Sequence, residues 1–308
     1  MGCPCERDVS LRKYASWRVG GPVDWLVHPE SVAQLSAVLA ACHERGVPIL
    51  IIGHGTNLLF DDAGFRGVII RIAENLSAFS IAGNRITAEA GVWVPQIARA
   101  AGRAGLAGLE HTIGIPGTLG GLVVMNGGSK RQSVGDCVAW VRVLGPDGSE
   151  RTLTQSECQF AYRSSLLQRG GQVVAEVGLC CGPGDPAAMR REMLAILRDR
   201  NGKFPRKQPN CGSVFVGGGE MFQRFGPPGK VIEDTGLKGM RIGDAKVSEQ
   251  HANFIVNLGE ATSRDTLALI HLIRDRVHER TGLWLQCEVR YVSTAGAVLP
   301  ASELATIG

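Results

Sequence analysis

Two glycine-rich stretches have the composition to hold an anion through backbone alone. Gly53-His54-Gly55-Thr56-Asn57-Leu58 follows the apolar run Pro48–Ile52, and GIPGTLGGLVVMNGG runs from Gly114 to Gly128. Glycine lets the backbone approach a ligand closely, and successive N–H groups can form a concave anion site. Both stretches combine Gly with Thr and Asn and contain no Lys or Arg, which suits a pyrophosphate held by backbone N–H groups rather than by lysines, with Thr56 and Asn57 as side-chain donors in the first. Neither matches the GxGxxG fingerprint or the GxxxxGK[ST] phosphate loop. Each therefore keeps a plainer reading: a strand-to-loop turn at Gly53, and a buried turn before the apolar strand LVVM in the longer stretch.

The second half of the chain offers different chemistry. Ser213 lies in NCGS, Lys246 and Ser248 in DAKVSEQHAN, and Glu288 in QCEVRYV. Taken alone, Ser213 is a local backbone cap and Glu288 the solvated side of a strand. Arg163 is a surface arginine. Lys203, Arg206 and Lys207 form a basic turn, either solvated or contacting a diphosphate. His251 reads as a hydrogen-bonded structural residue. The nine cysteines follow no zinc spacing, and the pair Cys3 and Cys5 would need two further ligands, so no metal is expected.

These residues need a scaffold. The 308 residues suggest two or three compact units, and 44% hydrophobic with 20% charged residues is ordinary globular composition. The net charge of +4 does not argue for nucleic acid and suits an anionic small substrate. No apolar run approaches the ~20 residues of a membrane span, no signal peptide is evident, and scattered cysteines fit a reducing cytosol.

Periodicity predicts a helix after Ser31, with Leu35, Val38, Leu39 and Cys42 on one face, then a buried strand over Pro48–Ile52. Val68–Ile70 and Arg85–Ala90 read as strands. A helix opens near Val94, and Val138–Leu144 with Glu150–Leu153 reads as a hairpin about Pro146-Asp147-Gly148. Asp185 and Pro186 form a helix start, and the main boundary is placed there. Asn210–Val216 enters a strand. Leu267, Ile270, Ile273 and Val277 define an amphipathic helix, and Gln286–Val292 a last strand.

Six blocks in fixed order carry a family resemblance: GHGTNLLF, GIPGTLGGLVVMNGGS, FAYRSS, CGSVF, GKVIEDTGLKGMRIGDAKVSEQHANFIVN and CEVRYV. From about Leu11 to Val292 the chain resembles the UDP-N-acetylenolpyruvoylglucosamine reductases (MurB family, shorter type), within the vanillyl-alcohol-oxidase-type flavoenzymes. The resemblance implies an α+β fold: a two-part FAD-binding region of the vanillyl-alcohol-oxidase/PCMH type, then a smaller α/β substrate-binding domain. The expected limits are 10–183 (subdomains about 10–72 and 73–183) and 184–292, with flexible tails at 1–9 and 293–308.

It further implies noncovalent FAD, NADPH as hydride donor, and reduction of UDP-N-acetylglucosamine enolpyruvate to UDP-N-acetylmuramate in peptidoglycan precursor synthesis, by a cytoplasmic monomer with no nucleic-acid partner and no membrane insertion. Carried over residue by residue, Arg163, Ser213 and Glu288 are catalytic. Gly53, His54, Gly55, Thr56, Asn57, Leu58, Gly114, Ile115, Pro116, Gly117, Thr118, Gly120, Gly121, Asn126 and Gly127 bind the cofactor. Tyr162, Lys203, Gln208, Lys246, Ser248, His251 and Asn253 bind substrate. The sequence departs from the family after Phe215, where Val216-Gly217-Gly218-Gly219-Glu220 replaces a usual Asn-Pro continuation. Two other readings remain at this stage: a flavoenzyme of the same fold with another substrate, and a non-catalytic nucleotide-sugar-binding module.

Overall fold

The computed structural model describes residues 2–169, 171–217 and 219–303. The chain forms two compact units. One holds the first six residues, Leu26–His54 and Val68–Arg200; the other holds Arg7–Trp25, Gly55–Gly67 and the residues from Asn201 onward.

The first unit is built on a five-stranded antiparallel sheet in the order Glu150–Thr154, Val138–Leu144, Val173–Cys180, Arg85–Glu89, Phe79–Ala82. The expected hairpin at Pro146–Gly148 closes it, with Gly145 N–H donating to Ser149 O at 2.7 Å. Ile49–Ile52 pairs parallel with Val68–Arg71. Three longer helices belong to this unit. Val32–Glu44 starts where Ser31 Oγ accepts from Gln34 N–H. Val94–Arg103 buries Val94, Ile97, Ala98 and Ala101. Pro186–Lys203 starts where the Asp185 carboxylate accepts from Ala187 and Ala188 N–H, both at 3.1 Å.

The second unit contains a three-stranded antiparallel sheet, Arg241–Ile242, Ala245–Val247, Ile255–Asn257. A second small sheet places Arg290–Val292 between Leu58–Phe60, parallel, and Val298–Pro300, antiparallel. The helix Ser263–Thr281 buries Leu267, Ile270, Ile273 and Val277, the face that the sequence predicted. Its start is a reciprocal capping box between Thr262 and Asp265. Trp17, Val19 and Leu59 join the core made by Phe215, Ile232, Ile255, Ile270 and Val289.

Several expectations are revised. LVVM is not a strand: Leu119–Val124 is a short helix, because Thr118 Oγ1 accepts from Gly121 N–H and caps it. Asn210–Val216 forms a turn with a single bridge, Phe215 to Cys287, rather than a strand. The tails carry structure. Cys5–Ser10 is a strand, Val298–Pro300 pairs with Arg290–Val292, and Ala301 is fully buried. Met1 and residues 304–308 of those expected tails lie outside the described residues. The helix Pro186–Lys203 lies wholly beyond the boundary expected at 183–184, yet most of it belongs to the first unit, since the units part between Arg200 and Asn201. The reason is packing: Met193 and Ile196 belong to the core of the first unit. Among the described residues no helix is long and apolar enough to cross a membrane.

Candidate functional site

In the first unit the two glycine stretches meet. A Cβ on Gly53 would lie 2.4 Å from Thr118 Oγ1 and 3.0 Å from Thr118 Cγ2. Only hydrogen at that position allows the contact. Thr118 is buried and bridges to Trp93, while Leu119 N–H donates to Val92 O and Gly120 N–H to Ala90 O, both at 2.8 Å. Those bonds fix the entry to the helix. Among the described residues no protein acceptor takes the N–H of Gly53, Gly117 or Thr118. Unmatched backbone donors beside a helix start suit an anionic ligand. On the opposite side Arg200 lies across Gly114, where a Cβ would meet its Cδ at 2.3 Å. Nothing in the local sequence pattern of Arg200 links it to a loop 86 residues earlier.

Asn126 is engaged on both sides of its amide. Nδ2 donates to Ala161 O at 2.7 Å and Oδ1 accepts from Gly135 N–H at 3.0 Å. It ties the glycine stretch to the YRSS turn. His111 ties the two ends of the stretch: its Nδ1 accepts from Ser129 N–H at 3.3 Å, and Ser129 Oγ donates to His111 O at 2.6 Å. Burial lowers the His111 pKa below its usual range, nearby carboxylates offsetting this in part. His54 is lowered by burial too, opposed by Glu74 at 3.2 Å.

Arg163 occupies the third position of a turn closed by Ser164 N–H to Ala161 O at 3.0 Å, with φ of +54°. That position favours Gly or Asn. A left-handed arginine costs roughly 1–2 kcal/mol, and the chain keeps it. Its Nη2 donates to Gly128 O at 2.9 Å, so the guanidinium is anchored to the end of the glycine stretch. Tyr162 beside it is 68% exposed, with the Arg163 guanidinium over its ring at 5.6 Å.

In the second unit the turn that carries Ser213 pairs through its backbone with the segment that carries Glu288. Glu288 N–H donates to Val214 O at 2.8 Å, and Phe215 bridges to Cys287. Asn253 holds the same turn from the other side: its Oδ1 accepts from Phe215 N–H, its Nδ2 donates to Phe215 O, and its carbonyl accepts from Val214 N–H, all at 2.9 Å. Asn210, not among the residues expected at the site, accepts from Gly212 N–H at 2.9 Å and shapes the approach to Ser213. Its Asx pattern, Asn two residues before Gly, is the signal that could have found it. Among the described residues Ser213 Oγ has no protein partner. Asn57 joins this group, since Nδ2 donates to Glu288 O at 3.1 Å and its carbonyl accepts from Arg290 N–H at 3.0 Å. Burial pushes the Cys211 and Cys287 thiols up to about 12, so both stay protonated packing groups on either side of the turn.

The residues expected to bind substrate divide. Asn253 is a brace, as above. Ser248 is buried, and its Oγ accepts from Gln250 N–H and His251 N–H. His251 Nδ1 accepts from Asn253 N–H at 3.2 Å, and its ring packs edge-on against Phe204 and Phe254. Burial lowers its pKa, and Lys238 adds to this. Lys246 pairs with Glu249 at 3.0 Å. Lys203 and Gln208 are exposed.

Residues 23–154 match the FAD binding domain family, which accounts for a cradle of backbone donors in the first unit. The protein is thus an FAD-dependent oxidoreductase of α+β fold. Residues 204–292 match the UDP-N-acetylenolpyruvoylglucosamine reductase, C-terminal domain. UDP-N-acetylenolpyruvoylglucosamine reductase 1 of Corynebacterium glutamicum is 47% identical over 97% of this chain and 89% of its own. The Heliobacterium modesticaldum reductase is 41% identical over 93% and 90%. The crystal structure of the Thermus caldophilus reductase superposes with a TM-score of 0.80 at 33% identity, covering 94% of this chain and 99% of that one. The chain belongs to the UDP-N-acetylenolpyruvoylglucosamine reductase family.

Proposed function

We propose that this protein reduces the enolpyruvyl double bond of UDP-N-acetylglucosamine enolpyruvate to the lactyl ether of UDP-N-acetylmuramate, with NADPH as hydride source, in peptidoglycan precursor synthesis. The observation that carries this reading is the pairing of the Ser213 turn with Glu288, made rigid by Asn253. Among the described residues the Ser213 hydroxyl has no protein partner, and it sits on a turn whose backbone pairs with that of Glu288, which supports a role in delivering a proton.

The residues fit FAD. The N–H groups of Gly53, Gly117 and Thr118 would take its pyrophosphate, and the contact at Gly53 leaves no room for a larger residue. Gly55, Thr56, Asn57 and Leu58 continue the first stretch. Ile115, Pro116, Gly120, Gly121 and Gly127 shape the second. Bound noncovalently, FAD supplies hydride acceptance from NADPH and hydride donation to substrate.

The chain's own residues do the rest. Hydride addition to the double bond places negative charge on the carbon conjugated with the carboxylate. Arg163 is the cation that spreads this charge, and the strained turn holds it in one orientation. Ser213 Oγ gives its proton to that carbon. Glu288 polarises the site and assists the proton's return to Ser213. Tyr162, Lys203, Gln208 and Lys246 contact the sugar nucleotide, while Ser248, His251 and Asn253 act by holding the Ser213 turn. On this reading the protein works as a cytoplasmic monomer.

The test is a two-step anaerobic titration. NADPH should bleach the flavin, and UDP-N-acetylglucosamine enolpyruvate should restore its colour. A reduced flavin that this substrate leaves bleached would refute the reading.

A further inference from the structure

Lys130 and Arg131 occupy the two central positions of a tight turn, closed by Gln132 N–H to Ser129 O at 3.0 Å. Both have left-handed backbone, φ of +53° and +63°. Two consecutive positive φ values are the type I′ pattern, which Gly, Asn and Asp dominate. Asn-Gly would fill this turn without strain. The chain instead holds the two longest cationic side chains there.

The turn is not isolated. It lines an open cleft of about 680 Å³ in the first unit, together with Ser133, Gln155, Gln159 and Arg163. Asn126, Lys130, Arg131, Gln159 and Arg163 are five of the seven non-glycine residues with positive φ among those described, and all five line this cleft. Strained backbone concentrates where function over-determines it. The cations are available. Lys130 meets only the half-exposed Glu192, at 3.4 Å, and an exposed pair of that length is weak. Asp136, the carboxylate in the lining, is occupied by Ser133 N–H at 3.0 Å and Ser133 Oγ at 3.2 Å.

We infer that Lys130 and Arg131 form a phosphate-binding subsite of this cleft, taking a phosphate of a nucleotide ligand. The inference rests on the reading above, which supplies two sources of that chemistry: the 2′-phosphate of NADPH and the diphosphate of the sugar nucleotide. The strain is the cost of presenting two cations at one turn.

The test uses the FAD-loaded protein and two variants. Lys130→Asn/Arg131→Gly relaxes the turn and removes both charges. Lys130→Gln/Arg131→Gln removes the charges and keeps the strain. Adenosine 2′-phosphate and UDP are titrated separately, read as flavin difference spectra. At least one should bind about tenfold or more weakly to both variants, since each lost charge-assisted contact is worth about that factor. The ligand that weakens identifies the source. The Asn-Gly variant should also melt about 2–4 °C higher. Unchanged affinity for both ligands in both variants overturns the inference. Flavin bleaching by NADPH in the unaltered protein reports separately on the reading beneath it: bleaching with unchanged affinities sinks only the subsite.

Discussion

Replacing Gly53 by alanine adds one methyl group, and the structure says where it goes. It would lie 2.4 Å from Thr118 Oγ1, 3.0 Å from Cγ2 and 3.3 Å from Cβ. Gly53 does not have left-handed backbone, so alanine is acceptable conformationally and the substitution isolates the contact. Overpacking of this kind costs roughly 1–3 kcal/mol. The two glycine stretches must part to admit the methyl, and both carry the N–H groups assigned to the pyrophosphate. If that distortion falls on the bound state, FAD affinity drops by about 5- to 150-fold. Thr118→Ala removes Oγ1 and Cγ2 and leaves only the 3.3 Å neighbour, at about 1 kcal/mol for the lost helix cap. The double variant should therefore bind FAD better than the sum of the two single losses, a coupling that neighbours in contact show. The assay is titration of apoprotein with FAD, followed by flavin fluorescence, with melting curves of both forms. Unchanged FAD affinity in Gly53→Ala, or strict additivity in the double variant, would refute the claim that the stretches meet there.

Ser213→Ala should leave flavin bleaching by NADPH intact and slow reoxidation by substrate by orders of magnitude; equal loss of both halves would mean misfolding instead. Asn253→Ala strips two hydrogen bonds from the buried backbone of Phe215. It should cost about 2–4 kcal/mol, lower the melting temperature and slow the same half-reaction, and a variant as stable as the parent would contradict the bracing role. The pKa of His111 is lowered from 6.5 by burial, so the unfolded chain takes up its proton first. Stability is full above about pH 6.5 and falls as the pH drops below it. His54, His251 and His271 shift the same way. Melting curves at pH 8 and pH 5.5 should show this loss, and His111→Gln should shrink it; an equal slope in the variant would place the titration elsewhere.

Much of the fold was legible because its signals are local. The helix Ser263–Thr281 shows its buried face as a 3.6-residue repeat and its start as Thr262 with Asp265. Asp185-Pro186 announces the helix it caps. The glycine stretches were legible as chemistry, but their contact at Gly53 and Thr118 was not, since no local pattern encodes a pairing between distant loops. LVVM misled for a related reason. β-branched residues favour strands, yet a cap at Thr118 and hydrogen bonds to Ala90 and Val92 settle the segment as helix. The candidate catalytic residues could be named from their blocks. What holds them could not: the Asn253 brace spans 38 residues, and the left-handed state of Arg163 comes from its turn, not from its residue type.

The parallel pairing of Leu58–Phe60 with Arg290–Val292 also bears on how the protein is made. The earlier strand leaves the ribosome about 230 residues before its partner, and at ~5–20 residues per second it waits about 10–50 s. Leu59 and Phe60 are fully buried in the finished protein and are unpaired throughout that interval. Distant contacts of this kind slow folding. The core of the second unit therefore closes only after the last strands are made, and a fragment beginning at Asn201 would lack Trp17, Val19 and Leu59 from its core.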